Sequence, residues 1–146
     1  MKYGMIPFFI PHVGCPNVCT FCNQSRITET VGIGHLTPEY IASTIKDYVG
    51  DSKNDKFWEV CFYGGSFSAI DQKLQKQLLK PAYEALQSGL IDSIRCSTRP
   101  DAVSDGQLEL LCSLGMKTIE LGVQSMDDTV LSLAKRGHTS DDVKVA

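Results

Sequence analysis

Short apolar segments alternate with amphipathic segments along the chain. The apolar segments have the length and composition of buried strands, and they are MIPFFIPHV (5–13), FWEVCFYGG (57–65), IDSIRCSTRP (91–100) and KTIELGVQS (117–125). The segments between them repeat apolar residues at helical spacing, as Leu74, Leu78 and Ala82 do. Strands that alternate with helices indicate parallel pairing with helical crossovers. The pattern therefore predicts an α/β fold with parallel strands.

Capping residues delimit the predicted helices. Thr37, followed by Pro38, is expected to open the first helix, on which Ile41, Ile45 and Val49 share one face. Gly89 is expected to end the second helix, which begins near Asp71, and Pro81 to break or restart it because proline lacks the N–H donor. Later helices are predicted after a capping box at 104–107, at 126–135 and after Thr139.

Four strand-and-helix units amount to half of a barrel or to a small open sheet. The helix after Thr139 has barely begun at Ala146. We therefore expect a partial (β/α) TIM-like barrel, truncated after four to five βα units, with 1–146 as the N-terminal part of its domain.

Composition and charge narrow the classes of protein. The chain has 146 residues, 42% of them hydrophobic, and a net charge of −3, which gives no electrostatic reason to expect nucleic acid. Pro7, Pro11 and His12 interrupt the N-terminal apolar run, and no small-residue cleavage site follows it. No apolar stretch is long enough to cross a bilayer. These features predict a cytoplasmic protein without a membrane partner.

Three of the six cysteines, Cys15, Cys19 and Cys22, are crowded into one short segment. Thiolates are the ligands of iron–sulfur clusters and of zinc. Structural zinc needs a closed tetrahedral set, for which His12 is the nearby fourth candidate, although His12 could instead brace the loop. Three thiols leave one iron of a cubane cluster open to another ligand, and we favour this interpretation over zinc.

The other cysteines, Cys61, Cys96 and Cys112, fall singly in apolar segments and are expected to be small buried side chains rather than ligands. His35 and His138 are expected at the surface or in loops. Glu120 lies within the fourth predicted strand, where a side chain that points into a barrel needs a partner for its charge.

Each unusual segment follows a predicted strand. The cysteine cluster follows the first, GGSF (64–67) the second, STRPD (97–101) ends the third and GVQS (122–125) ends the fourth. The carboxyl ends of parallel strands share one rim, where ligands bind in such folds. The sequence therefore predicts a ligand site at this rim.

The segment CPNVCTFC, with Phe21 before its third cysteine, resembles the signature of the radical SAM superfamily. The resemblance implies that Cys15, Cys19 and Cys22 hold a [4Fe–4S] cluster whose open iron binds S-adenosylmethionine. Reductive cleavage of that cofactor gives methionine and a 5′-deoxyadenosyl radical in such enzymes. The family also implies a partial or full (β/α) barrel and an electron donor such as flavodoxin or ferredoxin.

Other segments are similar to the same superfamily, most closely to the radical SAM domain of the Elongator catalytic subunit and to oxygen-independent coproporphyrinogen oxidase. YGGSF resembles the glycine-rich segment whose backbone holds the cofactor's amino group, although the family often has Glu where Ser66 stands and where Ser97 stands. The residues that the resemblance assigns to the cofactor site are Phe21, Gly64, Gly65, Ser66, Ser97, Arg99, Gln124 and Arg136. Arg99 could instead only shape its loop by pairing with Asp101.

The sequence leaves the substrate unknown and three alternatives open. An Elongator-like enzyme would act on tRNA. A zinc-stabilised binding module would use the thiols structurally, and an iron–sulfur electron carrier would have no S-adenosylmethionine site. The glycine pair and the rim segments argue against the last two, since neither class needs them.

Overall fold

Four parallel strands form a sheet whose spatial order follows the order of the chain. The computed structural model describes residues 2–10, 17–22, 33–50 and 56–146. Within them the strands are β1 Lys2–Phe9, β2 Lys56–Tyr63, β3 Ser93–Thr98 and β4 Thr118–Leu121. Parallel neighbours in sequential order are the arrangement of consecutive βα units in a barrel wall. The predicted α/β fold with a partial TIM-like barrel is confirmed.

Helices follow each strand in the part of the chain that is described. They are α1 Pro38–Val49, α2 Gln72–Gln87, α3 Asp105–Ser113, α4 Asp128–Leu133 and α5 Ser140–Val145, with 3-10 turns at Ile33–His35, Phe67–Ala69 and Pro100–Ala102. The predicted cap at Thr37 is confirmed, since its side chain accepts a hydrogen bond from the Tyr40 amide at 3.1 Å. Thr139 forms a complete capping box with Asp142, and Gly89 ends α2 with φ at 71°.

One helix prediction was wrong, and another was right only in part. Helix α2 continues through Pro81, because a proline removes only one backbone hydrogen bond from a helix. The Pro81 side chain is also buried on the side of the helix that packs against the core. The capping box at 104–107 is only half formed. Ser104 accepts from the Gln107 amide at 3.4 Å, but the Gln107 side chain donates to the Ser68 carbonyl instead of returning to the cap.

The ends of several elements also differ from the prediction. Strand β1 begins three residues before Met5, and β4 ends at Leu121, so that 122–125 form a loop beyond the sheet. Helix α4 occupies only the middle of the predicted 126–135 range, with Asp127 as its cap. Strand ends are set by pairing with the neighbouring strand, and β4 pairs with β3 only as far as Thr98.

One face of the sheet packs against the helices. Alternate strand residues, among them Ile6, Phe8, Val60, Phe62 and Ile94, form a continuous core with Ile41, Ile45 and Val49 of α1 and with Leu78 and Leu79 of α2. Cys61 and Cys96 are fully buried as predicted, whereas the prediction for Cys112 was wrong. Leu111 occupies the inward position of α3, and the adjacent Cys112 therefore points to solvent.

Candidate functional site

Two of the three clustered cysteines lie in the described segment 17–22. The Cys22 amide donates to the Cys19 carbonyl at 3.0 Å, which closes a turn between them. Cys19 is buried and Cys22 is half-buried. Cys15 and His12 lie outside the described residues.

Arg136 connects the segment 17–22, which we call the cysteine loop, to the segment after β4. Its Nη1 donates to the Cys19 Sγ at 3.3 Å, and its Nη2 donates to the Gly122 carbonyl. The guanidinium carbon lies 5.7 Å from the centroid of the Phe21 ring, within the range of a cation–π contact. Only 7% of Arg136 is exposed. The guanidinium therefore contacts three groups, one of which is the Cys19 thiol.

Three hydrogen bonds to backbone carbonyls also hold the segment around Arg136 against the cysteine loop and against the loop after β3. The Thr20 amide donates to the Ala134 carbonyl at 3.1 Å. The Arg136 carbonyl accepts from Arg99 Nη2 and, at 3.4 Å, from Asn17 Nδ2. Loops that follow β1, β3 and β4 thus meet at the carboxyl rim, as the sequence predicts for a ligand site.

The glycine pair and Ser66 form the rim after β2. Gly64 has φ at 99°, and a Cβ there would stand 2.7 Å from the Ile10 carbonyl oxygen, so a close backbone approach requires glycine. Gly65 is half-buried beside it. The buried Ser66 hydroxyl lies 3.0 Å from Thr98 Oγ1 and accepts from the Arg99 amide at 3.0 Å. Ser66 therefore joins β2 to β3.

A charged chain crosses the sheet on the face away from the helices. Arg95 donates from Nε to Glu59 Oε2 at 2.8 Å and from Nη1 to Glu120. Tyr3 donates to the same Glu59 carboxylate, and Ser97 donates to Glu120 Oε2 at 3.2 Å. A partner was expected for the Glu120 charge, and that partner is Arg95. Ser97 belongs to this network rather than to the group around Arg136.

The remaining predicted residues have separate settings. Arg99 pairs with Asp101 through two hydrogen bonds of 2.8 and 2.9 Å, as expected for a residue that shapes its loop, and also reaches Arg136. Gln124 is exposed and has φ at 71°, which turns the chain after β4. His35 is exposed as predicted. His138 is not at the surface, because it is buried with Nε2 at 3.3 Å from the Val123 carbonyl.

The structure therefore places Arg136 against Cys19, and Phe21 and Arg99 against Arg136. Sequence patterns did not indicate the roles of Asn17, which bonds to the Arg136 carbonyl, or of Thr98, which bonds to Ser66. Their roles depend on packing between distant segments, and a single sequence carries no local signal for that.

The residues present fit an iron–sulfur cluster. Within the described ranges no group of three His, Cys, Asp or Glu side chains is close enough to hold a metal ion, and the third clustered cysteine lies outside those ranges. Cys19 and Cys22 nevertheless offer two soft thiol ligands on one turn, and a guanidinium N–H points at one of the sulfurs. A cationic donor at sulfur suits ligands that carry negative charge in a cluster.

Comparison with known proteins identifies the family. The model of the Radical SAM superfamily matches residues 9–146. The chain belongs to the radical SAM superfamily. This confirms the resemblance found in CPNVCTFC and in the later rim segments.

Several relatives of this radical SAM chain are longer proteins. It is 30% identical over 105 residues to a tRNA uridine(34) acetyltransferase of Dehalococcoides mccartyi, covering 60% of this chain and 23% of that protein. It is 25% identical to the heme chaperone HemW of Lactococcus lactis, covering 94% of this chain and 34% of HemW. The chain therefore spans about a third or less of the relatives it matches.

A solved structure supports the fold. The archaeal Methanocaldococcus infernus Elp3 with an N-terminal deletion superposes with a TM-score of 0.62 at 20% identity, over 97% of this chain and 34% of that one. The radical SAM chain thus has the fold of part of Elp3. No helix of the described residues is both long and apolar enough to pass through a membrane.

Proposed function

We propose that the protein carrying this chain is a radical SAM enzyme that holds a [4Fe–4S] cluster on Cys15, Cys19 and Cys22. The observation that supports this most directly is the buried contact between Arg136 and Cys19 inside the segment that matches the superfamily. The contact joins the cysteine loop to the segment after β4. A cluster on the loop would therefore face the rim on which the predicted cofactor residues lie.

The chain's residues would bind and position the cofactor. When bound, the cluster supplies an electron that cleaves S-adenosylmethionine to methionine and a 5′-deoxyadenosyl radical. The backbone of Gly64, Gly65 and Ser66 would accept the amino group, as the family resemblance implies. Gln124 and Arg136 would contact the rest of the cofactor, and the backbone of Phe21 would lie beside the adenine, as the resemblance implies.

Two further residues have weaker cofactor roles in this proposal. Arg99 acts mainly on Arg136, since it holds the Arg136 carbonyl and is itself fixed by Asp101. Ser97 would act through Glu120, to which its hydroxyl is bonded. An external donor such as flavodoxin or ferredoxin would deliver the electron.

An anaerobic experiment tests the proposal. The full-length protein is reconstituted with iron and sulfide, reduced with dithionite, and its EPR spectrum recorded with and without S-adenosylmethionine. We expect a cluster signal that changes on addition of the cofactor, together with formation of 5′-deoxyadenosine. A signal indifferent to the cofactor would indicate an electron carrier. Zinc without iron in the purified protein would indicate a structural site, and either result would overturn the proposal.

For the substrate of this enzyme, the specific candidate is tRNA. Two further relatives, from Methanocaldococcus infernus and Methanocaldococcus jannaschii, are also tRNA uridine(34) acetyltransferases and are 31% and 30% identical to this chain. We expect tRNA that contains uridine 34 to accelerate 5′-deoxyadenosine formation by the full-length protein, whereas tRNA with cytidine at that position should not. Equal rates with both would exclude uridine 34 as the target.

A further inference from the structure

We propose that Arg136 is a positioning residue that sets the reduction potential of the cluster through an N–H···S hydrogen bond to Cys19. This inference rests on the proposed cluster and adds a role beyond contact with S-adenosylmethionine. It starts from the distance of 3.3 Å between Arg136 Nη1 and Cys19 Sγ. The residues are at opposite ends of the chain, and the contact forms only because two rim loops meet.

Contacts within the protein hold the Arg136 guanidinium in place. Nη2 donates to the Gly122 carbonyl, one guanidinium face lies over the Phe21 ring, and the Arg136 carbonyl is held by Arg99. A planar group held at two points, on a backbone that is itself held, loses little further freedom when it donates to sulfur. Its Nε is buried without a hydrogen-bond partner among the described residues, which leaves one further donor for a cofactor carboxylate. The two roles of Arg136 are therefore compatible.

The position of Arg136 favours the reduced cluster. One-electron reduction adds negative charge that is shared with the ligand sulfurs, and a cationic donor at Cys19 stabilises that charge. Cys19 is 4% exposed and Arg136 is 7% exposed, so water screens the interaction poorly. Hydrogen bonds to sulfur and solvent exposure are among the factors that set iron–sulfur potentials. Arg136 should therefore raise the potential.

The experiment compares three variants of the full-length protein, without S-adenosylmethionine. Arg136→Gln removes the charge and shortens the donor, and Arg136→Lys keeps the charge but loses the planar fork. Lys135→Gln is the matched control, because it removes the same charge from the neighbouring exposed residue. Iron and sulfide contents are measured first, and the midpoint potential is then obtained by EPR-monitored redox titration.

We expect Arg136→Gln to lower the equilibrium constant for reduction about tenfold, which is ~59 mV for a one-electron couple. Arg136→Lys should lower it by less. Lys135→Gln should change it by less than about threefold, since solvent and salt screen an exposed charge.

Each other outcome counts against the inference. An unchanged potential in Arg136→Gln, or a change equal to that of Lys135→Gln, would overturn it while leaving the proposed enzyme intact. Folded Arg136→Gln and Arg136→Lys proteins that both lack iron would also overturn it, because Arg136 would then be needed to dock the loop. A wild-type protein without iron would overturn the proposed function and this inference together.

Discussion

The side-chain amide of Asn17 lies directly against Gly137, and a Cβ on Gly137 would overlap it. The same amide donates to the Arg136 carbonyl at 3.4 Å. Gly137 has φ at 74°, a backbone conformation that favours glycine, and its lack of a side chain leaves room for the Asn17 amide. The Asn17 side chain therefore packs between the cysteine loop and the segment that carries Arg136.

Gly137→Ala should therefore displace the Asn17 side chain and break its hydrogen bond to the Arg136 carbonyl, which weakens the attachment of the cysteine loop. Gly89→Ala is a matched control, because Gly89 has φ at 71° and open space where its Cβ would be. Both changes should cost about 1–3 kcal/mol from the left-handed backbone. Only Gly137→Ala should also reduce the iron bound per chain after anaerobic reconstitution, by half or more. Equal iron contents in two folded variants would show that the loop does not need this contact.

Cys19→Ala should abolish the cluster, since the proposed ligand set has no spare thiol. Iron and acid-labile sulfide per chain should fall to the background of unreconstituted protein. Cys112→Ala is the control, because Cys112 is an exposed thiol on α3. It should keep the wild-type iron content, and a full cluster in Cys19→Ala would show that the ligand assignment is wrong.

The strands, the parallel sheet and the caps could be predicted because they depend on local sequence. Thr37 and Thr139 cap their helices through residues three positions away, and Ile41 and Ile45 face the core because helical spacing places them there. Strand ends were less accurate, since the pairing of β4 with β3 decides where β4 stops.

The site was only partly predictable, because several of its contacts join residues that are far apart in the sequence. Family resemblance indicated Arg136, but its bond to Cys19 depends on how two distant loops pack. Similarly, His138 lies in a loop, which is one of the two settings expected for it, but its burial against the Val123 carbonyl has no signal in the neighbouring residues. Cys112 was expected inside because its segment is apolar, yet Leu111 takes the inward position. Long-range packing decides the first two cases, whereas the position of Cys112 next to Leu111 on α3 decides the third.

Arg95→Met should destabilise the fold strongly. The Glu59 side chain is 3% exposed, and Arg95 is the charged partner 2.8 Å from its carboxylate. Removing one member of a buried ion pair leaves an uncompensated charge and costs about 3–5 kcal/mol. The free energy of unfolding in urea measures this.

Lys80→Met provides the comparison for that substitution. Lys80 and Glu84 form an exposed pair at 4.0 Å on α2, which should contribute less than about 1 kcal/mol. If both substitutions shift the urea midpoint equally, the Glu59 charge is compensated by other groups.

Stability at alkaline pH should depend on the Cys96 thiol. Burial, with a smaller contribution from the Glu120 charge, raises the pKa of Cys96 from 9.0 to about 12. Between these values the unfolded chain releases a proton that the folded protein keeps. The free energy of unfolding should therefore fall as the pH rises, and this thiol should contribute about 1.4 kcal/mol per pH unit to the slope.

Cys96→Val keeps an apolar side chain of similar size and removes the titrating thiol. The slope of unfolding free energy between pH 9 and 11, measured in urea under reducing conditions, should become shallower by about that amount. It should not vanish, because burial also raises the pKa of Cys61 and of Tyr3. An unchanged slope in Cys96→Val would mean that Cys96 ionises as readily in the folded protein as in the unfolded chain.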